Sequence, residues 1–211
     1  MKYDIYSWII MIAVISFLGF ILENVWLAFT KGFIDNRNMG APFLLGYGLF
    51  VVAIYFVIGT PQNFILSGKL LIKKHKIIKY IAYFLIAIII VSVGEMLLGI
   101  FVEKFLGFEY WNYSKIPFHI TKYTSIPTSI GFAFVILFFM GICFNPILIA
   151  ITKIKRLSKI FLGILLALIM TIDFFKSFYK MCKTKSLNEK WRIYIVNRKL
   201  QKYRFTEKRA V

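Results

Sequence analysis

Long apolar blocks constrain this chain more than any other feature. Five of them, at about 5–29, 42–60, 78–103, 127–150 and 160–178, approach or exceed the roughly 20 residues that span a bilayer's hydrocarbon core. Backbone amides and carbonyls in lipid have no water to bond, so each block must satisfy its own polar groups as a helix. Composition agrees. Apolar residues make up 60% of the 211 and charged residues 17%, against about 45–50% and about 25% in soluble domains. The expected fold is all-α: a polytopic transmembrane helical bundle of about five spans.

The net charge of +18 sits between and after the blocks. In a soluble protein such a balance would point to nucleic acid. Here the Lys and Arg flank spans, where they orient helices and meet anionic lipid, so lipids are the expected partners. Residues 61–79 hold Lys69, Lys73, Lys74, Lys76 and Lys79, and residues 151–159 hold Lys153, Lys155, Arg156 and Lys159. The positive-inside rule places both loops in the cytoplasm. The N-terminus is then cytoplasmic, and loops 30–41 and 104–126 lie outside.

The tail disturbs that assignment. Five spans leave residues 181–211 outside, yet a dozen Lys and Arg lie between Lys176 and Arg209. Leu187, Trp191, Tyr194 and Ile195 fall at helical spacing, so the segment reads as a basic amphipathic helix on an anionic leaflet. The sequence leaves the side of this tail open. The first apolar block is too long for a signal peptide and reads as an uncleaved helix. Cys143 and Cys182 form no disulfide framework.

An internal repeat organises the rest. Leu18-Gly19-Phe20-Ile21-Leu22-Glu23 matches Leu98-Gly99-Ile100-Phe101-Val102-Glu103. After a polar loop, Pro42, Gly46, Tyr47 and Gly48 match Pro127, Gly131, Phe132 and Ala133. Two helices per repeat imply two parallel helical hairpins, at about 5–60 and 78–150, plus a fifth helix at about 160–178. These would form a transmembrane domain over residues 1–180, followed by the tail.

Carboxylates inside spans are expensive, by roughly 2.5–3.5 kcal/mol at a helix centre, and so mark candidate sites. Ser16, Gly19, Glu23 and Thr30 share one stripe of the first helix, and Ser92, Glu95, Gly99 and Glu103 share one stripe of the third. Glu23 and Glu103 could form an acidic pocket for a cation, a proton or a polar head group. Equally, each could bond a loop backbone or pair with Arg37 and fix its hairpin. Glu95 lies deeper and has no repeat counterpart. Asp173 is placed to pair with Lys176 at i,i+3. The polar loops before the second and fourth spans carry Asn36 and Arg37, and Trp111, Asn112 and Tyr113. They read either as an interfacial aromatic belt or as lids over the carboxylates.

The sequence holds no phosphate-binding Gly-rich loop for ATP, no zinc-ligand cluster around His75 or His119, and no nucleophile elbow. Neither a metal nor another cofactor is expected.

Gly19-x-x-x-Glu23, Asn36-Arg37, the stretch from Pro42 through Tyr47-Gly48, and Trp111-Asn112-Tyr113-Ser114 followed by Pro117-Phe118 resemble the ABC-transporter type IV permeases, the CmpB-like bacterial membrane proteins. The resemblance spans roughly residues 10–180. It departs where the family's Asn-Arg-Gly becomes Asn36-Arg37-Asn38 and its Trp-Asp-Tyr-Ser becomes Trp111-Asn112-Tyr113-Ser114. It implies a permease-like subunit in the cell membrane that works with a separate ATP-binding protein and oligomerises to enclose a pathway. The rival expectation is a non-transport membrane protein, either an enzyme on lipid-linked substrates or a scaffold.

Overall fold

A computed structural model describes residues 3–66, 69–70, 76–196 and 199–204. The elements run α1 (Ile5–Lys31), β1 (Phe33–Asp35), α2 (Leu45–Ile58), β2 (Ile65–Leu66), β3 (Lys69–Leu70) and α3 (Lys76–Leu106). After β4 (His119–Thr121) and β5 (Thr124–Ser125), α4 (Ile126–Phe138) passes through a π-helical turn (Phe139–Cys143) into α5 (Phe144–Thr152). The chain ends with α6 (Arg156–Thr184), β6 (Trp191–Val196) and β7 (Lys199–Arg204). The protein is an all-α membrane bundle with small accessory sheets.

Four helical segments, Ile5–Lys31, Lys76–Leu106, Ile126–Thr152 and Arg156–Thr184, are long and apolar enough to cross a membrane. The block expected at 42–60 forms only the 14-residue α2, about 21 Å at 1.5 Å per residue. Gly59, at φ +73°, follows it in the left-handed region that stops a helix.

Local chemistry sets the helix ends. Asp4 caps α1 by accepting the Ser7 amide at 2.8 Å. Ser125 and Thr128 form a capping box at the start of α4, with Pro127 in its first turn. Pro146 has no amide to offer the carbonyl four residues back, and its ring crowds that carbonyl. The π turn just before it absorbs the misfit. Within that turn, five residues before Pro146, the Gly141 carbonyl accepts from the Gln62 side chain.

The chain divides into two compact units, residues 1–52 with 151–211, and residues 53–150. In the first, Met11, Ile10 and Ile15 of α1 are buried. Tyr6 packs against Gly163, where a β-carbon would approach its ring to 3.2 Å. Asp4 pairs with Lys159 at 2.9 Å, so the starts of α1 and α6 meet. The far ends of the two helices are joined by β1 and β6, which pair antiparallel from Phe33↔Tyr194 to Asp35↔Arg192. The two helices therefore run in the same direction. In the second unit, Tyr83, Phe64, Phe144, Leu148 and Met140 form the core, with the rings of Phe64 and Tyr83 in edge contact.

The tail departs from the helical expectation. Residues 191–196 and 199–204 form an antiparallel hairpin whose first strand extends β1 into a three-stranded sheet of order β1-β6-β7. Trp191-Arg192-Ile193-Tyr194-Ile195-Val196 is a run of β-branched and aromatic residues, which favours strand over helix. The paired edge of β1 supplies what an isolated hairpin lacks. The apparent helical spacing came from only four positions.

Candidate functional site

Each unit builds a polar cluster on its Leu-Gly-x-x-x-Glu segment. In the first, Gly19 leaves room for a ring. A β-carbon at that position would come within 2.7 Å of Tyr47 Cγ. With the ring seated there, the Tyr47 hydroxyl donates to Glu23, one helical turn further along α1. Arg37 closes the cluster, with Nη2 3.2 Å from Glu23 and Nη1 3.6 Å from Asp35. Gly48 holds α2 against α1, where a side chain would strike the Ile12 carbonyl and Ser16.

The second unit repeats the arrangement with a different tyrosine. Gly99 receives the ring of Tyr123, whose hydroxyl donates to Glu103. Lys122 stands where Arg37 stands in the first unit, 2.8 Å from Glu103 and 3.0 Å from Glu109. These two carboxylates hold the Lys122 ammonium well above its usual range. Hydrogen bonds from Asn112 and then Lys122 hold Glu109 below the ordinary carboxylate value. An open cleft of about 310 Å³, lined by Ile100, Glu103, Lys104, Gly107 and Tyr123, lies against this cluster.

The sequence alignment of the repeats placed Phe132 opposite Tyr47. The structural match is Tyr123, which precedes Pro127 by four residues where Tyr47 follows Pro42 by five. Lys122 and Tyr123 occupy the turn between β4 and β5, a position that no periodicity marks.

Glu95 joins a hydroxyl chain. Thr124 donates to it at 2.8 Å and lies 3.1 Å from the Ser129 hydroxyl, which accepts from Ser92 at 2.9 Å. Adjacent residues Tyr123 and Thr124 thus bind adjacent acids of the α3 stripe. Trp111 packs edge-on to Tyr123 and donates its indole N–H to the Tyr123 carbonyl at 2.9 Å. The Tyr113 amide bonds the Lys122 carbonyl. Asn112 donates to Glu109 at 2.7 Å and accepts the Ser114 amide at 2.8 Å.

The loop carrying Arg37 is clasped from several sides. Asn24 accepts the Asp35 amide, and Asp35 accepts that of Arg37. Asn36, 2% exposed, donates to the carbonyls of Met39 and Asn188 and accepts the Lys190 amide. Asn188 donates to the Asn38 carbonyl. Arg37 and Asn38 both have positive φ, at 45° and 64°. Asn tolerates this region best after Gly, so Asn38 fits its place in the turn. Asp173 does not pair with Lys176. It accepts the amides of Gly40 and Ala41 at 2.9–3.0 Å, and a side chain on Gly40 would collide with it and with Lys190.

Gly46 and Gly131 differ from the other singled-out glycines, since a β-carbon on either meets nothing within 4 Å. Asn24, Lys122, Tyr123, Thr124, Asp173 and Asn188 join these clusters without having been singled out as site residues by sequence. Only Asp173 had a usable signal, an acid inside a span. Among the described residues, no group of three His, Cys, Asp or Glu is placed to hold a metal ion.

Long apolar helices with paired polar clusters on two of them define a multi-pass helical membrane protein. The family model described as Putative ABC-transporter type IV matches residues 10–178, and the chain belongs to that family. It is therefore a transport-related membrane protein. Searches of curated proteins and of solved structures found no match.

Proposed function

We propose that the chain is the permease-like membrane component of a transport system, seated in the cell membrane beside a separate ATP-binding subunit. Two hairpin repeats would each contribute one polar clasp, and a second copy of the chain would complete the pathway. The observation that carries this reading is the recurrence of one constellation, Gly, Tyr, Glu and a loop cation, at the same point of a helix in each unit. A carboxylate shared between a phenol and a cation can exchange either partner for an incoming cation, proton or head group. Exchange would free the loop that brought the partner. Each clasp, on residues 32–41 in one unit and on residues 109–125 in the other, is thus suited to open and close over its own carboxylate. The substrate chemistry follows only as far as a polar or charged species that competes for a carboxylate or its cation.

Affinity purification from native membranes in mild detergent tests this reading, with copurifying proteins identified by mass spectrometry. A stoichiometric ATP-binding subunit is expected. Its reproducible absence from intact, monodisperse protein would remove the transport assignment, and turnover of a lipid-linked substrate by the purified chain would favour an enzyme instead. Glu23→Gln separates the roles of the clasp. Transport predicts altered flux at unchanged abundance and melting temperature, whereas a purely structural clasp predicts lost stability with no separate change in flux.

A further inference from the structure

The sheet made by the tail orients the first unit in the membrane. Asp4 and Lys159 tie together the starts of α1 and α6, and β1 pairs with β6 beyond their ends. One side of the membrane therefore receives Lys31, Arg37 and the described residues after α6. The other receives residues 153–159. The described residues between 176 and 204 include nine Lys and Arg, and residues 153–159 contain four. Lys180, Lys183, Lys185 and Lys190 are exposed near the end of α6. The five lysines of residues 61–79 do not reverse this imbalance on whichever side they are counted. The positive-inside rule counts Lys and Arg close to span ends, and acids contribute little. Taken alone, the loops place the start of α1 in the cytoplasm, but the β1–β6 pairing adds the whole tail to the opposite account.

We infer that the sheet end of this unit faces the cytoplasm, with the basic hairpin lying against the anionic inner leaflet, and that α1 starts on the outer side. Each Lys or Arg near an anionic surface is attracted by about 1 kcal/mol, and the sheet fixes several of them at one level. The inference holds whether or not the protein transports anything. If an ATP-binding subunit is present, it would meet the sheet end rather than residues 153–159.

Ser158 and Ser186 are both exposed, one near each end of α6. With Cys143 and Cys182 replaced by Ser, the single-cysteine variants Ser158→Cys and Ser186→Cys are treated with a membrane-impermeant maleimide on intact cells, then after permeabilisation. Ser158→Cys should label on intact cells, and Ser186→Cys only after permeabilisation. The reverse pattern, or labelling of both on the same side, overturns the orientation. A C-terminal green fluorescent protein fusion on the unmodified chain gives a second reading, with fluorescence expected and a dark, secreted-side fusion against it. For the lipid contact, the purified full chain is melted in nanodiscs of phosphatidylcholine alone and with about one-third phosphatidylglycerol. A rise of several degrees with the anionic lipid, abolished by high salt, is expected. Equal melting in both discs overturns the leaflet contact while leaving the orientation test to stand.

Discussion

Replacing Asn36 by Ala should destabilise the protein more than any other single change in the loop that carries Arg37. Its side chain is 2% exposed and makes three hydrogen bonds, to the carbonyls of Met39 and Asn188 and from the Lys190 amide, at 2.8, 2.9 and 2.8 Å. Removing it leaves backbone groups unpaired where water cannot readily replace the partner. Each such loss costs about 1–3 kcal/mol, the lower figure applying where solvent reaches. Two buried bonds and one part-buried bond give a total of at least about 3 kcal/mol. At about 2–4 °C per kcal/mol for a chain of this size, the melting temperature should fall by at least about 6–12 °C. The assay is the loss of monodisperse protein on size exclusion after heating in mild detergent. Asn36→Asp discriminates further. It keeps the shape and the acceptor for Lys190 but turns a carboxylate oxygen toward two carbonyls, so it should cost at least as much as Ala. Asn112→Ala, which removes an exposed pair with Glu109, serves as the control and should shift melting little. If Asn36→Ala melts with the control, or if Asn36→Asp is tolerated, the clasp by the tail does not hold the loop and the reasoning fails.

Gly99→Ala should destabilise by displacing the Tyr123 ring, whereas Gly131→Ala meets no atom and should be neutral or stabilising by up to about 1 kcal/mol through helix propensity. Paired melting curves decide it, and equal effects would refute the close-approach argument. Asp173→Ala removes the acceptor for the Gly40 and Ala41 amides and should cost about 1–3 kcal/mol, while Lys176→Ala should leave melting unchanged. The loop at 109–125 should loosen in acid. Glu109 is held below its ordinary 4.5 by Asn112 and Lys122, so its contribution is present above that value and is lost as pH falls through the depressed one. Trp111 fluorescence should therefore change only below about pH 4.5, and Glu109→Gln should abolish that transition. A midpoint near neutrality would contradict the assignment. Lys122, raised by its two carboxylates, loses its contribution only in strong alkali.

The sequence made the carboxylate stripes legible because helical periodicity alone brings Gly19 to Glu23 and Gly99 to Glu103. It also offered Arg37 as a partner for Glu23. It did not show Lys122 and Tyr123, since a turn residue's partner depends on how the hairpin folds back, which has no period. The pairing of Tyr47 with Phe132 misled for the same reason. Similar residues after a Pro need not perform similar roles when a loop of different length supplies the ring.

The apolar blocks by themselves determined that this chain is a helical membrane protein, because a backbone in lipid has almost no other way to satisfy its hydrogen bonds. Long apolar helices form over four of the five blocks, while the block at 42–60 gives only the short α2. Tertiary structure alone decided the fate of the tail. Residues 191–196 carry strand-forming side chains that remain marginal in isolation, and they become a strand because β1 offers an open edge beside the end of α6. That pairing joins residues more than 150 positions apart, and with it the tail, the Asn36 loop and the end of α1 come to share one side of the membrane.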